Sequence, residues 1–576
     1  MRRLALALLL SAPLAAVPLA SAQTRLGPLE VGGSVSVTGE GYSVSGIEAR
    51  RPGLLGRLNA DARFGLFGLG SRLSLSLATD EGAEFRRELD RIRLATRWSW
   101  GEAELGDVAP SLSPYVLSGL TPRGGLLQLR GRGLELTAGG GRTRQAVLAD
   151  AAESGLTAYE QWLWAGRARY GNARGTFGGL ALAVARDLPG SLEASGEGAA
   201  PIVLRPRASA TLAPEAGVAL MGGALRLRGL AAVSGYTPDL EAPVGEGDVP
   251  AFIEPFLATR AGAFAQTAYE GDLSADLAAM GLAPDLGLRL DASYSRVPPG
   301  YRTLGVPRLR DDEATLRLRP RAQLFDRRLT VSVDLARTAT DLGSREIADG
   351  RRLSFGTSVQ ARPTDWLALT AAYSGLRTTR EAGLFGVGDE AVADPGLDQR
   401  TQTFTLAPSL TLRQPGGLTH TATLATTLMR ARDLTGAPGA APGTVPVAPE
   451  ADNATAAVSY AFAAPSGLSL TATADGARSA LGDNTTTRAG LTLGAGQAFL
   501  DRTLQLAATA GASRTEAAYA VGGFTQTQIT GSLTGTYRFP TGDALRLQVN
   551  GFSSAADSGA PSFRELRARV VFSRRF

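Results

Sequence analysis

Cysteine is missing from all 576 residues, and histidine occurs once. A chain without thiols has neither a disulfide framework nor a thiolate metal site, and one imidazole excludes the usual zinc ligand sets. Lysine is absent too, so all 59 basic residues are arginine. They run from end to end among 54 acidic residues, for a formal charge of only +5. A nucleic-acid surface would gather them in one patch or on one helix face, so no nucleic-acid partner is expected. Beyond the first two dozen residues no uncharged apolar run reaches the ~18 residues of a membrane helix. Any passage through a bilayer therefore has to be made by strands.

What is present starts with a targeting pattern. Arg2 and Arg3 precede an apolar run from Leu4 to Ala20, and Ala20-Ser21-Ala22 is a small-x-small cleavage site. Charged start, apolar core and small residues together predict a secretory signal over residues 1–22, cleaved before Gln23. Pro13 and Pro18 interrupt a run already short for a membrane anchor.

From about Gly53 onward, runs of roughly 9–13 residues alternate apolar and polar and then break at Gly, Pro, Asp or Asn, the period-2 signature of two-faced strands. Leu329, Val331, Val333 and Leu335 oppose Thr330, Ser332 and Asp334; Leu545, Leu547 and Val549 oppose Arg546, Gln548 and Asn550. A soluble sandwich also alternates, but these strands are about twice the usual globular length and match the ~9–11 residues of a tilted transmembrane strand. Tight turns such as Phe325-Asp326-Arg327, Gln414–Gly417, Leu500-Asp501-Arg502 and Pro540–Asp543 alternate with long connections such as Glu381–Gln399 and Asp433–Asp452. Charges at mid-strand suit a wet lumen rather than a dry sandwich core. The fold expected is all-β: a large antiparallel transmembrane β-barrel of roughly 24–26 strands, with short periplasmic turns and long outer loops. Residues 145–576 belong to it. Residues 23–144 form a β-rich segment, either the first barrel strands or a small domain in or below the lumen. So wide a wall needs filling, by inward loops or by that segment, unless the strands are fewer.

The final strand runs Glu565 to Phe576, with Leu566, Ala568, Val570, Phe572 and Phe576 on one parity. It resembles the C-terminal signature of bacterial outer-membrane β-barrel proteins, except that Arg574 stands where that family has an apolar residue. The resemblance implies that the barrel assembly machinery reads Phe572 and Phe576. A second stretch, Tyr294 to Pro307, is similar to one seen in large outer-membrane barrels. The resemblance extends to porin-like and transporter-like members.

No catalytic constellation, metal site or cofactor motif emerges. His420 shares parity with Leu418, Ala422, Leu424 and Leu428, which places it on the lipid face near a turn. Asp389, Glu390, Asp394 and Asp398 match no calcium-loop spacing and read as solvated loop acids. Parity points Arg130, Arg226, Arg228, Arg289, Arg317, Arg319 and Arg546 into the lumen. Such an array would favour anions in a pore, or would brace the wall by pairing with Glu135, Asp291 and Asp334. Outer-membrane lipid and small solutes are the expected partners. The leading reading is a non-enzymatic, passive pore for small solutes. A structural barrel with an occluded lumen and an active transporter with an N-terminal plug are the alternatives.

Overall fold

A computed structural model describes residues 24–26, 29–79, 91–147, 157–172, 175–192, 204–245, 247–340, 350–381, 383–385, 392–394, 396–434, 450–520, 522–557 and 561–576. The expected signal peptide lies outside them, as do Asp389 and Glu390. The described residues contain strands and short 3-10 turns but no α-helix.

Twenty-six antiparallel strands, from Leu29–Ser45 to Phe563–Arg575, pair each with its sequence neighbour. The last strand then pairs with the first, from Ser34 opposite Arg575 to Ser45 opposite Arg564. The sheet is thereby closed into a barrel. Closure leaves no edge, so the wall's backbone N–H and C=O groups find partners within the sheet. A short strand, Thr24–Leu26, folds back on the start of the first wall strand. A two-stranded pair, Gly383–Phe385 with Val392–Asp394, stands apart from the wall. Residues 29–144 contribute seven of the wall strands.

Both ends of the wall, Leu29 and Arg575, lie on the side of the tight turns. Two of those turns are near-copies. Phe325-Asp326-Arg327 and Leu500-Asp501-Arg502 each hold three successive residues at positive φ, between 50° and 69°. In each, the amide after the triplet donates back to the carbonyl of its first residue at 3.0 Å.

Alternation along each strand sorts the residues into two faces. On the outer face large apolar side chains stand exposed, among them Leu412, Leu428, Val458, Leu491, Leu493, Ile529 and Leu547. On strand Thr419–Asp433 the outer face carries no charge between His420 and Arg430. At ~3.4 Å per residue and a tilt of ~40°, that stretch stands ~25 Å tall, the height of a bilayer-facing apolar band. Trp98, Trp100 and Trp366 lie at the turn side, whereas Trp162 and Trp164, stacked at 6.4 Å, lie near the loop-side end of their strand. Aromatics thus stand at both rims, as interfacial girdles do.

The inner face is polar over most of the circumference, with hydroxyl pairs crossing between strands: Ser332 with Ser358 at 2.6 Å, Ser459 with Thr473 at 3.1 Å, Thr509 with Ser532 at 2.7 Å. The two faces make a direct test possible. Leu424→Arg, in the middle of the outer band, is expected to cost ~2–4 kcal/mol of barrel stability. Thr423→Arg, one residue away on the inner face, is expected to cost far less. Urea unfolding in vesicles, read by the gel mobility of unheated samples, measures both; equal costs would contradict the assignment of faces.

Candidate functional site in the barrel lumen

One arc of the inner face is not polar. Along strands Gln161–Gly171, Phe177–Asp187, Ala208–Leu220, Leu225–Thr237 and Phe264–Asp276 it presents Leu163, Ala181, Ala183, Ala185, Ala213, Leu230, Ala232 and Ala268, all buried. What buries them is two loops from the long-loop side, 108–122 and 298–312. Loop 108–122 carries no charge and three prolines. Left in water it would expose Val108, Leu112, Tyr115, Val116 and Leu117; folded inward, each of these is at most 5% exposed. Each large apolar side chain so buried contributes roughly 1.5–3 kcal/mol. The alanines opposite are short enough to let a second layer fit inside the wall.

The two loops are latched to each other and to the wall. Tyr301, 2% exposed, donates its hydroxyl to the carbonyl of Tyr115 at 3.1 Å. The Ser118 amide donates to the carbonyl of Gly305 at 3.2 Å. A Cβ at position 305 would collide with the carbonyl oxygen of Val116, so only glycine permits this approach. From the wall, Arg167 donates to the carbonyl of Leu112 at 3.1 Å, Ser234 to that of Arg302 at 2.7 Å, and the Leu304 amide donates to Ser209 at 2.9 Å. Burial pushes both tyrosine hydroxyls well above the usual phenol range, and Glu270 beside Tyr115 adds to the rise there. A raised phenol stays neutral, so these hydroxyls keep their protons at every pH below about 10.

The seven arginines singled out by parity all lie on the inner face of the register. Arg317 and Arg319 both bind Asp334, at 2.5 and 3.0 Å. Arg289 reaches Asp291 at 3.4 Å, and Arg228 reaches the buried Glu215 at 3.5 Å. Glu215 is held more closely by Arg169, at 2.7 Å. Arg130 stands opposite Glu135 in the register, but Glu135 pairs with Arg167 at 3.2 Å and Arg130 bonds Gln128 at 3.1 Å. Arg226 donates to the carbonyl of Gly223 at 3.1 Å. Among the described residues Arg130, Arg226 and Arg546 have no carboxylate within ion-pair distance, nor does Arg321, which faces Arg289 across the sheet. Arg130, Arg226, Arg228, Arg289, Arg321 and Arg546 all sit within a few residues of the turn-side end of their strands. Together they mark a basic rim at that mouth.

Parity also held a signal that went unread near the seam. Asp61, Arg63, Arg72, Arg93, Arg97 and Glu102 line a cavity of about 1080 Å³ on the inner face, reaching Arg575 and Phe576. Arg72 binds Asp61 at 2.5 Å, Arg97 binds Glu102 at 2.8 Å, and Arg93 pairs with Glu104. Asn59, Asp61 and Arg63 share one parity, as do Arg91, Arg93 and Arg97.

His420 lies on the outer face, its Nδ1 2.8 Å from the Tyr460 hydroxyl and its ring 5.2 Å from that of Phe462, in an aromatic cluster at the turn-side rim. Asp398 pairs with Arg377 at 2.8 Å. Phe572 stands opposite Val37 across the seam, and Phe576 exchanges backbone hydrogen bonds with Gly33 at 2.6 and 3.0 Å. Among the described residues no group of three metal-ligating side chains comes together.

A closed antiparallel barrel with an apolar outer band, two aromatic rims and a polar interior is a transmembrane β-barrel of the outer-membrane type. No family model matches the chain, and no curated protein matches it. Among solved structures it is similar to the ferric preacinetobactin receptor BauA from Acinetobacter baumannii, at 10% identity and TM-score 0.40 over 94% of this chain and 80% of that one. OccAB4 from the same organism matches at 11% identity and TM-score 0.28, covering 73% of this chain and 99% of that one. OccK2 (OpdF) from Pseudomonas aeruginosa matches at 13% and 0.26, covering 95% and 98%. At these scores the likenesses carry no argument, and the class rests on the closed register and the two faces.

If the latch holds the loops inside, Tyr301→Ala should release them at a cost of about 3 kcal/mol or more, at least ~100-fold in the opened population. Protease cleavage within 108–122 should rise accordingly, while the unheated barrel keeps its folded mobility on a gel. Gly305→Val should do the same by steric collision.

Proposed function

We propose that the chain is a passive pore of an outer membrane for small anionic solutes, narrowed from the loop side by the two latched loops. The observation that carries this reading is the basic rim at the turn-side mouth, where Arg130, Arg226, Arg321 and Arg546 have no carboxylate partner among the described residues. A ring of fixed positive charge in a low-dielectric wall raises the local concentration of anions and disfavours cations. Arg317 and Arg319, sharing Asp334, act instead as braces between their strand and the next. Export by residues 1–22 and reading of Phe572 and Phe576 by the barrel assembly machinery belong to the same proposal, as does the absence of catalysis.

Single-channel conductance of the refolded chain in a planar bilayer, with the reversal potential in a salt gradient, tests it. Stable conductance with anion preference is expected. Arg321→Glu with Arg546→Glu should move the reversal potential toward that of cations, whereas Arg317→Glu with Arg319→Glu should mainly lower stability. A barrel that inserts but never conducts would replace the pore with a structural, occluded barrel.

A further inference from the structure

The outer face carries one feature that a pore does not require. On the long-loop side, just above the apolar band, strands Leu367–Arg380, Leu397–Arg413, Thr419–Asp433 and Ser469–Leu481 bring arginines onto the bilayer-facing parity, while Ala451–Ala463, between the last two, brings Asp452. Arg400 stands directly opposite Arg377 on one neighbouring strand and Arg432 on the other. Like charges placed so are destabilising unless something negative lies between or over them. Asp398 binds Arg377 at 2.8 Å and Glu450 binds Arg432 at 3.4 Å, but Arg400 has no carboxylate within ion-pair distance among the described residues.

Directly below lies a groove of about 560 Å³. Its floor is apolar: Phe404 and Leu428 stand 40% and 49% exposed, with Ala454 leaving room between strands. Arg430 stands at its upper end and Arg478, two strands away and so ~10 Å laterally, faces Ala454 one register pair lower, with Asp452 on the strand between them. Arg430 spends Nε and Nη2 on Asp452, at 2.8 and 3.5 Å, which leaves its Nη1 hydrogens. Arg478 is exposed and has no carboxylate partner among the described residues. Two guanidiniums to one carboxylate leave the groove's end positive. Its floor is continuous with the apolar band, so whatever fills it comes from within the bilayer.

We propose that this groove binds a phosphate-bearing, acylated lipid of the outer leaflet. An acyl chain lies along Phe404, Leu428 and Ala454, and the phosphate sits between Arg478 and the free edge of Arg430, with Arg400 adding to the field above. Guanidinium and phosphate match as planar fork and tetrahedral acceptor, and the pairing strengthens where water is scarce. The cluster lies where the apolar band ends, and an interfacial basic cluster on a membrane protein reads as a headgroup site.

The test uses the full chain purified in a zwitterionic detergent, titrated with phosphatidic acid, with phosphatidylcholine of the same acyl chains, and with inorganic phosphate. Retained lipid is counted by native mass spectrometry. Saturable binding of phosphatidic acid is expected, at least ten-fold tighter than of phosphatidylcholine and not displaced by inorganic phosphate. Arg478→Glu and the milder Arg478→Gln should both abolish that preference, and Phe404→Ala should weaken binding of either lipid. Arg546→Glu, at the far mouth, should leave lipid binding intact, and Arg478→Gln should leave conductance intact, so failure here is separable from failure of the pore. Equal binding of the two lipids, or an Arg478→Gln variant that keeps the preference, would overturn the proposal. Displacement by inorganic phosphate at equal concentration would overturn the lipid as occupant.

Discussion

A peptide group left without a partner in hydrocarbon costs several kcal/mol, and the free edge of a sheet is a row of such groups. The seam between Leu29–Ser45 and Phe563–Arg575 removes that row, and most other features follow from it. Closing a sheet of twenty-six strands without strain makes it wide, and a wide barrel encloses more space than its own side chains fill. The chain meets this by turning one arc of its inner face apolar and laying two loops against it. At the seam, Arg567 on the last strand binds Glu40 on the first at 2.6 Å, so a charge-assisted contact reinforces the pairing most distant in sequence.

The wall was readable because period-2 alternation survives wherever one face meets lipid and the other water. Leu545-Arg546-Leu547-Gln548-Val549-Asn550 shows it plainly. Between Arg57 and Gly235 the pattern is weaker, and the structure explains why. At Leu180-Ala-Leu-Ala-Val184 both faces are apolar, because one meets the bilayer and the other meets the loops. That doubly apolar stretch is the footprint of the filling. The loops' inward course had no local signal of its own, since an apolar loop such as 108–122 is legible only once the alanine arc that receives it is known. Tyr294–Pro307 stood out by resemblance without any attached role, and it supplies Tyr301, Thr303 and Gly305 to the latch. Arginine facing could be read by parity; which arginines lack carboxylates could not, because pairing depends on register between strands.

The long loops divide by charge. Loop 108–122, uncharged, goes inside. Loop 238–263, with Asp239, Glu241, Asp248, Glu254 and Arg260, folds over the outer surface instead. There Val249, Ile253 and Leu257 cover Ala208, Ala210 and Gly235, and a Cβ on Gly235 would come within 2.8 Å of Ile253. Loop 298–312 is intermediate: Tyr301 and Leu304 face the filling, while its arginines and aspartates stay at the mouth, beside a cavity of about 530 Å³ that Arg144, Arg207 and Arg302 also line.

Both latched loops hang from the strand ends opposite the two ends of the wall, Leu29 and Arg575. Val116 and Gly305 meet across the lumen, with eight wall strands lying between their loops in sequence. The contact joins residues far apart in the chain and adds nothing to wall pairing itself. The bore of the finished barrel is therefore set by contacts that the wall itself does not need, so its width can change without any strand changing partner.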